Sequence, residues 1–232
     1  MRCQYFSACL SLFSAGVAHT IGVIVLSCAC NSIFLVNKKD NDAARLFYVI
    51  GPSGAGKNSL IDYVRERSEA TPLLFARRYV TRASKAGGED HIAVSIEEFE
   101  RLRDSGTFAM HWCGNELHYG VSKEIDCWLS SGKSVLENGS RAYLPKAIAR
   151  YRSLCPILIE VSDDVLTERL LSRGRETRAE IQARIERNHT VPGPQHPALV
   201  MIRNDAQLNR SGDELLKIVT QKSFASLNAQ PD

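Results

Sequence analysis

A glycine-rich run that starts at residue 51 has the residue types and spacing of a phosphate-binding loop. Glycines allow backbone N–H groups to turn inward around a polyphosphate, and the N-terminus of a following helix adds partial positive charge. A lysine at the end of such a loop, here Lys57, reaches the β- and γ-phosphates of a bound nucleotide. We therefore predict a nucleotide site formed by Gly51, Ser53, Gly54, Ala55, Gly56, Lys57, Asn58 and Ser59.

The residue after the loop lysine departs from the common pattern. Such loops usually place Ser or Thr there to hold Mg²⁺, whereas this chain has Asn58 followed by Ser59. An amide oxygen also binds Mg²⁺ or its water molecules, so we predict Asn58 and Ser59 on the metal side of the site. Glu137, at the end of a predicted strand over 133–137, is a third candidate for ordering Mg²⁺ water. A structural carboxylate paired with Arg141 is the alternative role for Glu137, and it stays open.

Six arginines crowd one helical segment that Gly174 interrupts. Planar guanidinium groups match phosphoryl oxygens, and a dense group of them around a hinge is typical of a lid that closes over a transferred phosphate. A solvated basic face paired with neighbouring glutamates is the alternative, and it stays open for three of the six. The six are Arg169, Arg173, Arg184 and the three open cases Arg175, Arg178 and Arg187.

Short apolar runs that alternate with helical patterns must position these side chains. A buried strand is predicted over 45–50, directly before the glycine-rich run, and a helix directly after that run. Further strands are predicted from residue 73, over 133–137, over 155–161 and over 199–202, with helices between them. The alternation predicts an α/β fold in which helices flank a parallel sheet. Ligands of such sheets bind at the carboxyl ends of the strands.

Two local signals follow the basic end of the run 73–82. Gly87 and Gly88 predict a mobile turn over 84–89. Ser95, followed three residues later by Glu98, predicts a helix start with a capping box.

The composition is typical of one well-cored globular domain. Of the 232 residues, 24% are charged and 44% hydrophobic, which is ordinary for such a domain. A net charge of +3 is too small to indicate a nucleic-acid partner. Only Cys113, Cys127 and Cys155 follow residue 44, which indicates a reducing compartment. The oligomeric state stays open, a homodimer included.

The first 44 residues form an extension that differs from the predicted globular domain, 45–232. No Asp, Glu, Lys or Arg occurs between Cys3 and Asn37, and the segment is apolar enough for a membrane. Three interpretations compete: a mis-assigned translation start, a membrane anchor that leaves the domain in the cytoplasm, and a secretory signal. A start near Val36 would need an alternative codon, because the next Met after the first residue is Met110.

The motifs of residues 45–225 resemble the guanylate kinase group of P-loop kinases. The resemblance implies a P-loop NTPase fold with a five-stranded parallel core, a lid and a small acceptor-binding region. It also implies that Arg82 and Tyr119 hold the phosphate of the acceptor and that three lid arginines line the γ-phosphate. These three are Arg169, Arg173 and Arg184, and the matching motifs are Gly51-Pro52-Ser53-Gly54-Ala55-Gly56-Lys57, Thr81-Arg82, Ser95-Ile96-Glu97-Glu98-Phe99, Tyr119-Gly120-Val121-Ser122, Arg169-Leu170, Arg173-Gly174 and Ala183-Arg184.

The acceptor pocket departs from guanylate kinases where they bind the base. His111 stands where that family has the glutamate that reads guanine, and Arg78 stands where it has a small hydroxyl. His91 replaces a tyrosine that grips the nucleotide phosphate. A carboxylate is the natural partner of the N–H donors of guanine, so its exchange for imidazole removes base recognition. Cationic groups in its place suit additional phosphate.

These departures resemble the ribose 1,5-bisphosphate phosphokinase family of bacterial phosphonate breakdown. The resemblance implies ATP-dependent phosphorylation of ribose 1,5-bisphosphate to 5-phosphoribosyl diphosphate, with Mg²⁺ as cofactor. A sugar with phosphates at both ends needs two cationic clusters, for which Arg78, Arg82, His91 and Arg141 are the candidates. The matching motifs are Arg78-Tyr79-Val80-Thr81-Arg82, Glu89-Asp90-His91-Ile92-Ala93, His118-Tyr119-Gly120-Val121 and Asn138-Gly139-Ser140-Arg141.

Two other functions stay open at this point. The first is a nucleoside monophosphate kinase of the guanylate type. The second is a binding module without catalysis, since guanylate-kinase-like domains also serve as peptide-binding modules. Such modules commonly lack an intact phosphate loop and the lid arginines, whereas Lys57, Arg169, Arg173 and Arg184 are all present here.

Overall fold

The computed structural model describes a defined part of the chain, namely residues 24–26, 34–36, 44–69, 71–83, 90–174 and 176–220. Two short strands in the N-terminal extension, residues 24–26 and 34–36, pair antiparallel with each other. Among the described residues, no helix is both long and apolar enough to span a bilayer. The turn predicted over 84–89 and most of the extension lie outside the described residues.

The described chain contains eleven strands and seven helices. The strands are β1 Ile24–Leu26, β2 Phe34–Val36, β3 Leu46–Ile50, β4 Leu73–Phe75, β5 Arg78–Val80, β6 Ile92–Ala93, β7 Phe108–Gly114, β8 Leu117–Ser122, β9 Ser134–Asn138, β10 Leu154–Glu160 and β11 Val200–Arg203. The helices are α1 Lys57–Arg67, α2 Ile96–Asp104, α3 Glu124–Ser130, α4 Leu144–Arg150, α5 Asp163–Ser172, α6 Arg178–Thr190 and α7 Leu208–Thr220.

A five-stranded sheet forms the centre of the domain, in the order β11-β10-β3-β9-β4, and every neighbouring pair is parallel. Apolar clusters lie on both faces, which explains why the strands are almost continuously hydrophobic. Leu60 and Val64 of α1 pack on one face with Leu215 of α7. Ile125 of α3 and Leu144 of α4 pack on the other face. The predicted α/β fold with a parallel sheet flanked by helices is therefore confirmed.

A second sheet of four strands, in the order β6-β5-β8-β7, stands beside the parallel one. The sequence correctly placed a strand start at residue 73, but not the break that follows it. Ala76 N–H donates to the Leu136 carbonyl, and two residues later the chain enters the other sheet as β5. The β7–β8 hairpin turns through Asn115 and Glu116, whose φ values of 49° and 62° suit the right-handed twist of the flanking strands.

Helix starts differ in one detail from the prediction. The Ser95 hydroxyl caps α2 by accepting from the Glu98 N–H at 3.1 Å, as predicted. The carboxylate of Glu98 instead accepts from Arg101 at 2.7 and 2.9 Å, so the reciprocal half of the capping box was wrong. An arginine one turn later competes for that carboxylate. A complete capping box occurs at α6, between Thr177 and Glu180.

The loop after β9 depends on a close backbone approach to Tyr48. A Cβ on Gly139 would lie 2.2 Å from the fully buried Tyr48 ring, whose hydroxyl accepts from the Ser140 N–H at 3.0 Å. We expect Gly139→Ala to lower the free energy of unfolding by about 1–3 kcal/mol, because the ring and the loop must separate. Urea denaturation measures it. Gly193→Ala, where the added Cβ meets no atom within 4 Å, should stay within about 0.5 kcal/mol. Equal effects of the two substitutions would contradict the expectation.

Candidate active site

The phosphate loop joins β3 to α1 at the carboxyl edge of the parallel sheet. Gly51, Gly54 and Gly56 all have positive φ, and Gly56, at 88°, occupies the N-cap position of α1. A Cβ on Gly56 would lie 2.6 Å from Nδ2 of Asn204, so only glycine fits there. The resulting backbone curl leaves the N-terminus of an eleven-residue helix facing the loop.

Lys57 folds back over the loop. Its Nζ donates to the carbonyl oxygens of Gly51 and Pro52, each at 2.9 Å. The Ala55 N–H donates to the Pro52 carbonyl at 3.2 Å, which closes a turn inside the loop, and Ala55 itself is fully buried. The ammonium group is therefore held beside the backbone that would surround a polyphosphate.

Asn58, the first residue after the lysine, contacts the neighbouring strand β9. The Nδ2 of Asn138 donates to Oδ1 of Asn58 at 2.5 Å. Ser59 is exposed on α1. Glu137 is fully buried in β9, and its predicted role toward Mg²⁺ stays a prediction.

The segment predicted as a lid contains α5 and α6, and one of its arginines contacts the loop. The Nη1 of Arg184 donates to Oγ of Ser53 at 3.3 Å, while its Nη2 forms an ion pair with Glu176 at 2.5 Å. Arg173, at the C-terminal end of α5, is exposed. The structure therefore joins Arg184 to the loop and leaves Arg173 at the surface.

Arg169 lies on the other side of the loop, against Gly56. Its Nη1 is buried and has no hydrogen-bond partner among the described residues, and it would lie 3.8 Å from a Cβ on Gly56. Oδ1 of the neighbouring Asn204 is likewise buried without a partner in that part of the chain. An uncompensated cationic nitrogen beside a phosphate loop fits an anionic ligand, so the donor side has the chemistry that a nucleoside triphosphate requires.

Arg78 is the most buried of the arginines predicted to bind the acceptor. Its side chain is buried, and Nη1 donates to the backbone carbonyl of Asn138 at 2.9 Å. Its Cζ lies 5.0 Å from the centre of the Tyr119 ring, and that ring stacks on Trp112 with centroids 5.6 Å apart. The structure thus brings together Arg78 and Tyr119, two of the predicted acceptor residues, at the carboxyl end of β9.

The remaining predicted acceptor residues occupy two further places. The buried ring of His91 contacts the Arg82 carbonyl through Nε2 at 3.1 Å, which joins these two residues. His111 is exposed on β7, and partial burial, followed by the positive charges of Arg103 and Lys146, lowers its pKa below the ordinary value. Both effects favour the uncharged form of the His111 imidazole.

Arg141 connects the loop after β9 to the lid. Its Nη2 donates to Oδ1 of Asn188 on α6 at 2.8 Å, and burial lowers the pKa of its guanidinium. The contact of Arg141 in the structure is thus with Asn188, whereas the alternative expectation was a pairing with Glu137.

Three residues that contact the site were not among the predicted site residues: Asn138, which was noted only within a matching motif, Asn204, and Glu176, one of the glutamates expected to pair with the arginines. Asn204 directly follows β11, and its Nδ2 donates to the Ala55 carbonyl at 2.7 Å, which braces the loop. Asn138 ends β9, the strand next to β3. Polar residues at the ends of buried parallel strands were the available signal, because such ends meet at the ligand-binding edge.

Comparison with known proteins gives consistent similarities. The chain is 46% identical over 177 residues to the ribose 1,5-bisphosphate phosphokinase PhnN of Thiobacillus denitrificans, covering 76% of this chain and 93% of that protein. It is 41% identical over 190 residues to the enzyme of the same name from Psychromonas ingrahamii, covering 82% and 97%. No model of a protein family matches the chain.

Among solved structures, a guanylate kinase from Anaplasma phagocytophilum superposes with a TM-score of 0.57. The alignment covers 79% of this chain and 88% of that chain at 20% sequence identity. At that identity the likeness concerns the fold alone, and it agrees with the predicted P-loop architecture.

Proposed function

Because the chain belongs to the ribose 1,5-bisphosphate phosphokinase family, we propose that it transfers the γ-phosphate of ATP to the 1-phosphate of ribose 1,5-bisphosphate, giving 5-phosphoribosyl diphosphate. The observation that carries the proposal is the buried guanidinium of Arg78, which lies beside Tyr119 at the carboxyl end of β9. A buried cation there suits a second phosphate group. It offers no acceptor for the N1–H and amino donors of guanine.

The proposed reaction needs little general acid–base catalysis. The attacking atom is an oxygen of a phosphate that is already ionised, so a strong general base is unnecessary. The protein contributes positioning and neutralisation of charge. On the donor side, we assign neutralisation to Lys57 and the lid arginines Arg169, Arg173 and Arg184. On the acceptor side, we assign binding of the bisphosphate to Arg78, Arg82, His91, His111, Tyr119 and Arg141.

Mg²⁺ belongs to the same proposal. The amide oxygen of Asn58 beside the loop is a hard oxygen donor of the kind that Mg²⁺ prefers. Asn58, Ser59 and Glu137 would hold the ion or its water molecules. When bound, Mg²⁺ supplies neutralisation of charge on the β- and γ-phosphates.

The proposal also names the residues that carry the activity, its compartment and its partners. We assign the activity to residues 45–232 and to the cytoplasm, where ATP is available. ATP and the sugar phosphate are the partners we propose, and nucleic acid is not among them. A homodimer and a membrane attachment through the extension 1–44 stay open.

A direct assay of acceptor choice tests the proposed reaction. The full chain is incubated with ATP, Mg²⁺ and either ribose 1,5-bisphosphate or GMP, and phosphorus NMR follows the appearance of a diphosphate. We expect kcat/KM for the sugar bisphosphate to exceed that for GMP by about 10⁴-fold. With GMP bound, buried cations lack a phosphate partner and the N–H donors of the base lack an acceptor. Phosphorylation of GMP with no turnover of ribose 1,5-bisphosphate would overturn the proposal.

A further inference from the structure

Asn138 touches both halves of the site through two different groups. Its side-chain Nδ2 donates to Oδ1 of Asn58 at 2.5 Å on the donor side. Its backbone carbonyl accepts from Nη1 of Arg78 at 2.9 Å on the acceptor side. We propose that Asn138 is a positioning residue for phosphoryl transfer, which fixes the amide of Asn58 and the guanidinium of Arg78 relative to each other. The inference rests on the proposed function.

The place of Asn138 in the sheet explains how one residue reaches both sides. It is the last residue of β9 and pairs in register with Val49 of β3, the strand that leads into the phosphate loop. Side chains alternate along a strand, so Asn138 projects to the α1 face together with Leu136, while Glu137 projects to the opposite face. The direction of the backbone carbonyl does not depend on that of the side chain, and this carbonyl faces Arg78.

Asn138 acts through its neighbours, because it is itself too buried to touch a substrate. Only 8% of its surface is exposed, and its Oδ1 is buried without a hydrogen-bond partner among the described residues. A buried amide left half satisfied is costly, so its retention needs a reason beyond packing. Orientation of the Asn58 oxygen is such a reason, since Asn58 occupies the sequence position at which other loops have the metal-binding Ser or Thr.

The chemistry requires an amide at 138. Asn138→Asp would place carboxylate oxygens against the Asn58 oxygen, with no donor between them. Asn138→Ala would remove the donor and leave the backbone carbonyl for Arg78. The alanine variant therefore removes only the hydrogen bond to Asn58. The aspartate variant replaces that hydrogen bond with a repulsion between oxygen atoms.

A double-mutant cycle between Asn58 and Asn138 tests the proposal. We expect Asn138→Ala to lower kcat by about 10-fold and Asn58→Ala, which removes the oxygen itself, to lower it at least as much. The double variant should lose no more than Asn58→Ala alone, because Asn138 acts through Asn58. KM for ribose 1,5-bisphosphate should change less than about threefold in Asn138→Ala, since the carbonyl partner of Arg78 remains. A double variant that loses about 10-fold more than Asn58→Ala alone, or Asn138→Ala with wild-type kcat, overturns the proposal.

A binding measurement separates this proposal from the proposed function. Calorimetry with ATP, with and without Mg²⁺, gives the factor by which the metal strengthens binding. We expect Asn138→Ala to reduce this factor, Asn58→Ala to reduce it at least as much, and the double variant to equal Asn58→Ala, whichever acceptor the enzyme uses. An unchanged factor in Asn138→Ala counts against the positioning role even if ribose 1,5-bisphosphate is turned over.

The same strand offers a matched control. Ser134, at the amino end of β9, accepts from the Arg45 N–H at 3.1 Å through its hydroxyl. Ser134→Ala thus also removes one side-chain hydrogen bond from β9, at the edge opposite the site. We expect its kcat and its Mg²⁺ factor to equal those of the wild type. If Ser134→Ala lowers both as Asn138→Ala does, the effect is structural and the proposal fails.

Discussion

Lys57→Met should lower kcat for ribose 1,5-bisphosphate by about 10³-fold, the loss expected when one preorganised charge partner of a transferring group is removed. Its Nζ is held by the carbonyls of Gly51 and Pro52 inside the loop, so the positive charge is in place before substrate arrives. Methionine keeps most of the volume and removes the charge. Steady-state kinetics with saturating ATP measures the change.

The control for this variant is a lysine at the amino edge of the parallel sheet, outside the site. Lys133 is exposed and directly precedes the amino end of β9. Lys133→Met should keep wild-type kcat. Loss of two hydrogen bonds should also lower the stability of Lys57→Met by about 1 kcal/mol per bond, so thermal unfolding must confirm that the variant is folded at the assay temperature. A kcat within tenfold of the wild type would contradict the assigned role of Lys57.

Arg78→Met should raise KM for ribose 1,5-bisphosphate by about 10²-fold and leave KM for ATP within about twofold, the size of effect seen when one partner of a buried charge contact is truncated. The guanidinium is buried between the Asn138 carbonyl and the Tyr119 ring, where an anion would be shielded from water. The expected pattern assigns Arg78 to the acceptor and not to the nucleotide. Initial rates with each substrate varied in turn measure it.

Arg77 gives a matched control one residue away. It is exposed and forms an ion pair with Asp90 at 3.0 Å. Arg77→Met should leave both KM values unchanged, because an exposed pair of this kind contributes little. Arg78→Lys should fall between the wild type and Arg78→Met, since lysine keeps the charge and loses the planar fork. A parallel rise of both KM values in Arg78→Met would remove Arg78 from the acceptor side.

The phosphate loop and the parallel sheet could be predicted from the sequence because their signals are local. Three glycines and Lys57 occur within seven residues, between a strand pattern and a helix pattern. Buried strands likewise show as apolar runs wherever they lie in the sheet. Local patterns of this kind report the shape of a segment without its neighbours.

The contacts between distant segments of the chain could not be predicted, because local patterns do not report which segments meet. Asn58 and Asn138 are 80 residues apart in the chain, and Asn204 and Ala55 are 149 apart. These pairs meet only because the strands are arranged in the order β11-β10-β3-β9-β4, which no single segment specifies. The second sheet was missed because the hairpin of β7 and β8 mixes aromatic and polar residues and turns at Asn115 without the usual glycine.

The common direction of the five central strands also fixes how the enzyme can be attached to a surface. Their amino ends share one edge, and Ala44 enters the fold there, ahead of β3. The phosphate loop follows the carboxyl end of the same strand. A linker, affinity tag or immobilising anchor joined ahead of residue 44 therefore holds the molecule at the amino edge of the sheet. The opposite edge, which carries the phosphate loop, then faces the solution.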